Sequence, residues 1–203
     1  MTEYNFKLNK NQLPQLKLAE KLRRYLKSLD ITKNCIIHGS LTTGRADKYS
    51  DIDLQLDVSG SDNGKTAREL PELLSKEFPV VYTAYGPRFA PDLYLVSFGL
   101  KDYSPFHFFD VEIIADPHVP SLSRQEIIDM TDISALRTKL LVGVLKKHLR
   151  GQEYKEELDF LVNPIKNEKD LKGRDLLRYC FQIQSEALSG DMKNICLECL
   201  EMI

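Results

Sequence analysis

Ile37-His38-Gly39-Ser40-Leu41-Thr42-Thr43-Gly44-Arg45-Ala46-Asp47-Lys48-Tyr49-Ser50-Asp51-Ile52-Asp53-Leu54 is the stretch on which the reading of this chain turns. It begins inside a short apolar run, Cys35 to His38, which Gly39 stops; the run reads as a buried strand. Residues 40–50 are polar and start with a serine, so a turn or short helix follows. From Asp51 to Val58 the residues alternate, with Ile52, Leu54, Leu56 and Val58 on one side and Asp51, Asp53, Gln55 and Asp57 on the other. That period of two predicts a strand whose Asp51 and Asp53 share a face. Two carboxylates held so close repel unless a cation lies between them. Hard oxygen ligands of this kind suit Mg²⁺ or Mn²⁺.

A phosphate cradle precedes the pair. Glycine at position 39 lets backbone N–H groups approach a phosphate closely, and Ser40 offers a hydroxyl donor. Arg45 and Lys48, on the same loop, are candidates to neutralise triphosphate oxygens. The glycine spacing Gly39 to Gly44 also matches a P-loop. That motif requires Lys and then Ser or Thr, where Arg45 and Ala46 stand, so a P-loop is set aside.

Outward from this stretch, residues 14–29 and 65–77 read as helices, the second carrying Pro71 as a late start or a kink. Lys17, Lys21, Arg23, Arg24 and Lys27 on the first read as a solvated face. Strands are predicted at Val80–Tyr85, Leu93–Phe98 and Phe106–Ala115, with turns at Gly86-Pro87 and Tyr103-Ser104-Pro105. After Pro120 the pattern becomes helical, over 124–130, 132–149, 153–162, 170–188 and 191–202, with Asp132 as an N-cap. The fold class is therefore α+β: a mixed sheet with flanking helices over residues 1–120, then a helical bundle over 121–203. In the last predicted strand, Phe108-Phe109-Asp110-Val111-Glu112-Ile113-Ile114, two acids interrupt an apolar run. A charge in such a strand is costly unless it is paired, ligating or at an edge. Asp110 and Glu112 are thus further site candidates, pairing with an arginine or plain solvation being the alternatives.

Bulk properties narrow the partner classes. The 203 residues are 42% apolar and 29% charged, with a formal net charge of −2. A protein gripping duplex nucleic acid needs a basic face, so nucleic acid is not the expected partner. The longest apolar run, Leu140 to Leu145, is far short of the roughly 20 residues of a spanning helix. Met1 to Lys10 lacks the apolar centre of a signal peptide, which predicts a cytoplasmic protein. Cys196 and Cys199 form a C-x-x-C with no second ligand pair, and read as packing residues on one helix face. His38 reads as a packed core residue, with a site role as the alternative. His107, His118 and His148 have no companions at metal spacing. The acidic residues Glu153, Glu156, Glu157, Asp159, Glu168 and Asp170 read as a solvated face.

The combination of apolar strand, Gly39-Ser40, about ten residues, then Asp51-Ile52-Asp53 resembles the signature of the DNA polymerase β-like nucleotidyltransferase superfamily. Ser50-Asp51-Ile52-Asp53-Leu54 is similar to the form in antibiotic nucleotidyltransferases and in small nucleotidyltransferase antitoxins. The resemblance implies a magnesium-dependent enzyme with two ions held by Asp51, Asp53 and Asp110. It implies transfer of a nucleoside monophosphate from ATP or another nucleoside triphosphate to a hydroxyl, with pyrophosphate leaving. Gly39, Ser40, Arg45 and Lys48 would hold the triphosphate, and Glu112 or a carboxylate of the helical part would act as base. The α/β part followed by helices resembles aminoglycoside and lincosamide nucleotidyltransferases, which implies a small-molecule acceptor, a role in antibiotic resistance and a possible homodimer. The alternative is a nucleotidyltransferase-fold antitoxin or regulatory module acting on a partner protein; the long helical part favours the enzyme.

Overall fold

The structure, a computed structural model, describes residues 14–86, 93–119, 121–162 and 171–203. Expectations resting on Met1–Lys10, Pro87, Pro120, Glu168 and Asp170 lie outside these residues. The described chain runs α1 (Pro14–Lys27), β1 (Asn34–His38), β2 (Ile52–Asp57), α2 (Asn63–Ser75), β3 (Val80–Tyr85), β4 (Leu93–Leu100) and β5 (Phe109–Ile114). Helices α3 (Arg124–Met130), α4 (Ile133–Leu149), α5 (Lys155–Val162), α6 (Gly173–Ala187) and α7 (Gly190–Glu201) follow. The mixed sheet with flanking helices and the C-terminal helices are as the sequence predicts.

The five strands lie in the order β1-β2-β5-β4-β3. Only β2 and β5 run parallel; the remaining neighbours are antiparallel. The alternation seen in the sequence sets which face is which. Ile52, Leu54 and Leu56 of β2, Val96 and Phe98 of β4, and Phe109, Val111 and Ile113 of β5 point to one side. There they pack with Leu18, Leu22 and Leu26 of α1 and Leu70 and Leu74 of α2. Each such fully buried leucine contributes about 2 kcal/mol by leaving water. Phe98 and Phe109 stack in the middle at 4.9 Å between centroids.

The other face is covered only in part. Tyr82 and Ala84 of β3, with Phe106 and Phe108, join Leu141, Leu145, Leu177, Phe181, Cys196 and Cys199 in a second core built on α4 to α7. The helices thus sit over the β3 end, and the β1-β2-β5 end of that face keeps its half-buried polar side chains.

Two elements depart from expectation, and at a third the structure removes one of two readings. Cys35 to His38 is not a fully buried strand: β1 is a sheet edge and Ile36 is 44% exposed. The last strand begins at Phe109, because Pro105–His107 form a 3-10 turn, with the Ser104 hydroxyl accepting from the Phe106 N–H at 3.4 Å. Pro71 neither starts nor ends α2 but lies inside it. A proline there leaves the carbonyl four residues earlier without its helical donor. That carbonyl belongs to Ala67, and the buried Tyr85 hydroxyl donates to it at 3.3 Å.

Candidate active site

Strand pairing brings the predicted acids together. In the parallel β2–β5 register Asp53 stands opposite Asp110, and Gln55 opposite Glu112. In the antiparallel β1–β2 register His38 stands opposite Asp53. Asp51 lies one residue before β2, so Asp51, Asp53, Asp110 and Glu112 all lie towards the partly covered face. Asp53 is half-buried. Burial, and then the neighbouring charges of Asp51 and Asp110, push its carboxyl up to about 6.

Gly39 explains how a chain fits beside that carboxylate. Its φ is +69°, a left-handed conformation that glycine adopts without a steric penalty. A Cβ at this position would fall 2.0 Å from Asp53 Oδ2. The turn therefore lies directly against the carboxylate. The next residue, Ser40, has a buried Oγ with no hydrogen-bond partner among the described residues. A buried hydroxyl without a partner costs about 1–3 kcal/mol, and a ligand oxygen would relieve it.

The sequence reading missed the cations. Repulsion among the acids is offset by two lysines of α4. Lys139 Nζ donates to both oxygens of Asp110 at 2.9 and 3.0 Å, and to Ser97 Oγ at 2.6 Å. Lys146 Nζ lies 2.9 Å from Asp51 Oδ2 and 3.9 Å from the Phe108 ring centroid. That approach is an ion pair off the alignment of a hydrogen bond. Burial lowers the Lys146 pKa against the opposing pull of Asp51. Three carboxylates thus face two ammonium groups, and Asp53 has no ion-pair partner among the described residues. Arg150, one turn beyond Lys146, grips Asp47 through Nε at 2.8 Å and Nη2 at 2.7 Å. Lys139, Lys146 and Arg150 recur at i, i+7 and i+11, one stripe of a helix. A lysine ending the apolar run Leu140 to Leu145 was the signal available.

His38 is a correction: it is half-buried beside the acids, not a core residue, with Nε2 3.7 Å from Glu112 Oε2. Gln55 Nε2 donates to the same oxygen at 3.3 Å. Arg45 and Lys48 stay exposed on their loop. Arg45 donates to Thr43 Oγ1 at 3.2 Å, and the Lys48 ammonium lies 4.8 Å from the Tyr49 ring centroid. Neither is paired with the acid cluster. Cys196 and Cys199 are fully buried in the second core, and burial raises both thiols.

The donor set suits a hard divalent cation: three carboxylates on adjoining strands, one lacking a counter-charge, next to an unsatisfied hydroxyl. Among the described residues no three His, Cys, Asp or Glu side chains are already gathered as a coordination sphere. Asp51 and Asp110 are instead engaged by Lys146 and Lys139. Chemically, the arrangement can hold phosphate oxygens at Gly39-Ser40, concentrate positive charge beside them, and offer Glu112 as a proton acceptor.

Residues 19–177 match the family described as Nucleotidyltransferase domain. No curated protein matches the chain. Among solved structures it is similar to the Cid1 poly(U) polymerase, at 16% identity and TM-score 0.37, over 86% of this chain and 67% of that one. It is also similar to the polymerase core of TRAMP, an RNA surveillance complex (14%, 0.41, 88% and 62%). A third is the GLD-2/RNP-8 complex (16%, 0.36, 87% and 56%). The chain spans between 56% and 67% of the length of these three.

Proposed function

We propose, from the premise that this chain belongs to the nucleotidyltransferase domain family, that it transfers a nucleoside monophosphate, AMP foremost, from a nucleoside triphosphate to a hydroxyl of a small molecule in the cytoplasm. The observation that carries the reading is the trio Asp51, Asp53 and Asp110 against the Gly39-Ser40 turn, with the Ser40 hydroxyl unsatisfied. The division into a nucleotidyltransferase part, 1–120, and a helical part, 121–203, belongs to the same proposal.

Asp51, Asp53 and Asp110 would hold the magnesium, in our reading two ions, which when bound supply positive charge to the phosphates. The Gly39 turn and the Ser40 hydroxyl receive phosphate oxygens. Arg45 and Lys48 sit on the same loop and add charge as the triphosphate enters. The ammonium groups of Lys139 and Lys146, once released by their carboxylates, remain within reach of the same phosphates and shield them. Glu112 takes the proton of the acceptor hydroxyl, held in place by Gln55 and faced by His38.

The acceptor side favours a small molecule. None of the five strands contains a lysine or arginine, so the partly covered face offers Asp53, Asp57, Asp110 and Glu112 beside Ile36 and Leu95. The cations that reach it, Lys139 and Lys146 of α4, are already engaged by Asp110 and Asp51, which leaves few free charges for a phosphate backbone. A hydroxylated cationic compound such as an aminoglycoside meets complementary charge there; lincosamides are the second class to try. No described helix is long and apolar enough to cross a membrane. The test incubates the protein with α-labelled ATP, Mg²⁺ and a panel of aminoglycosides, lincosamides and an RNA oligomer. The expected result is labelled small-molecule product that disappears in Asp51→Ala/Asp53→Ala. Label on the RNA alone, or labelling indifferent to the double substitution, would overturn the reading.

A further inference from the structure

The loop between Gly39 and β2 is held unevenly. Among the described residues, Thr42 to Arg45 make only local hydrogen bonds. Asp47 to Ser50, by contrast, is gripped by three separate parts of the fold. Gln15, wholly buried on α1, donates to the carbonyls of Asp47 at 3.0 Å and Ser50 at 3.5 Å. The Tyr49 ring meets the edge of Phe106 at 5.1 Å, and the ring of His107 hydrogen-bonds the backbone of Lys48. Arg150, the last residue of α4's C-terminal turn, closes its guanidinium fork on both oxygens of Asp47.

The Asp47 carboxylate is the hub of the turn. Oδ1 accepts from the Tyr49 N–H at 2.9 Å and from Ser50 Oγ at 3.2 Å, while the Asp47 N–H donates back to Ser50 Oγ at 3.0 Å. Ser50 is buried and is the residue before Asp51. A shift of the turn is therefore a shift of Asp51. Lys146 and Arg150, spaced i and i+4 on α4, take Asp51 and Asp47 respectively.

We propose that Asp47 and Arg150 are positioning residues, a clasp that fixes the 47–50 turn to α4 and so presents the Asp51 carboxylate to nucleotide and metal. The inference rests on the reading of Asp51 given above. Exposed ion pairs contribute little on their own, but a bidentate guanidinium–carboxylate pair adds a fixed geometry that a lysine cannot reproduce. The charge is always present, since the guanidinium holds the Asp47 carboxyl down at about 2.

The test compares Arg150→Met, Arg150→Lys, Asp47→Asn and the double Arg150→Met/Asp47→Asn with the parent chain. Amide hydrogen exchange over residues 46–52, Mg·ATP affinity and thermal unfolding are read on each. Expected are exchange over 46–52 faster by roughly tenfold and Mg·ATP affinity weaker by roughly tenfold, as for a displaced binding group. Unfolding should move by only a few degrees. Arg150→Lys should behave as Arg150→Met, and the double variant as either single one. Unchanged exchange over 46–52 in Arg150→Met overturns the clasp, and so does full recovery in Arg150→Lys. Failure of the underlying reading looks different: Asp51→Ala/Asp53→Ala then leaves Mg·ATP binding intact, while the exchange measurement still decides the clasp.

Discussion

Replacing Gly39 by alanine should damage both the site and the fold, and the geometry gives both sizes. The backbone at Gly39 has φ +69°, where an L-residue costs about 1–2 kcal/mol. The new methyl would lie 2.0 Å from Asp53 Oδ2 and 2.8 Å from its Cγ, when ordinary contact begins near 3.4 Å. The Asp53 carboxylate must therefore move by more than 1 Å, and overpacking of that kind adds about 1–3 kcal/mol. The sum is about 2–5 kcal/mol, or a fall in Tm of about 5–15 °C for a chain of this length. Activity should fall by about 10² or more, because a binding carboxylate has been displaced by an ångström. Gly44→Ala is the matched control. Its φ is +73°, but nothing lies within 4 Å of the added Cβ, so it carries the backbone cost alone. Urea denaturation and nucleotidyl transfer are measured on both. If Gly39→Ala and Gly44→Ala lose the same stability and keep the same activity, the close approach of the turn to Asp53 is not functional.

Lys139→Met leaves Asp110 and Ser97 without their shared partner in a region where both ions are less than one-fifth exposed, and should cost about 3 kcal/mol in urea; a loss below about 0.5 kcal/mol would show that the pair is only incidental. Asp47, depressed to about 2 from 3.8, contributes stability that is complete above pH 4 and lost as pH falls through 2. Its side chain is 42% exposed, so solvent screening limits that contribution to about 1 kcal/mol, read as an acid-limb difference between the parent and Asp47→Asn. All four cysteines are buried, and burial raises each thiol. Native protein at pH 8 should therefore resist a thiol-specific disulfide reagent until denaturant is added, and rapid native reaction at Cys196 or Cys199 would contradict their packing.

Much of the site was legible because strand periodicity is a strong local signal. The alternation from Asp51 to Val58 fixed the shared face of the acids, and Asp110 inside an apolar run marked its own strand. What periodicity cannot supply is registry between distant segments. That His38 faces Asp53, and that Asp53 faces Asp110, follow from pairings of β1, β2 and β5. The partners from α4 were missed for the same reason, since Lys139, Lys146 and Arg150 lie 29, 95 and 103 residues from the acids they meet. The 3-10 turn at Pro105 was hidden by Phe106 and Phe108, whose apolar character suits a strand equally well. Pro71 lies inside α2 because Tyr85, ten residues past the helix end, supplies the donor that proline lacks.

The stripe of cations on α4 has a consequence for how the protein comes into being. During synthesis from the N-terminus the acids of β2 and β5 leave the ribosome well before Lys139 and Lys146. Until that helix emerges, the nascent sheet has only solvent and dissolved ions to quiet its crowded negative charges. Lys139 and Lys146 therefore join the acids only after the residues of β2 and β5 have been made.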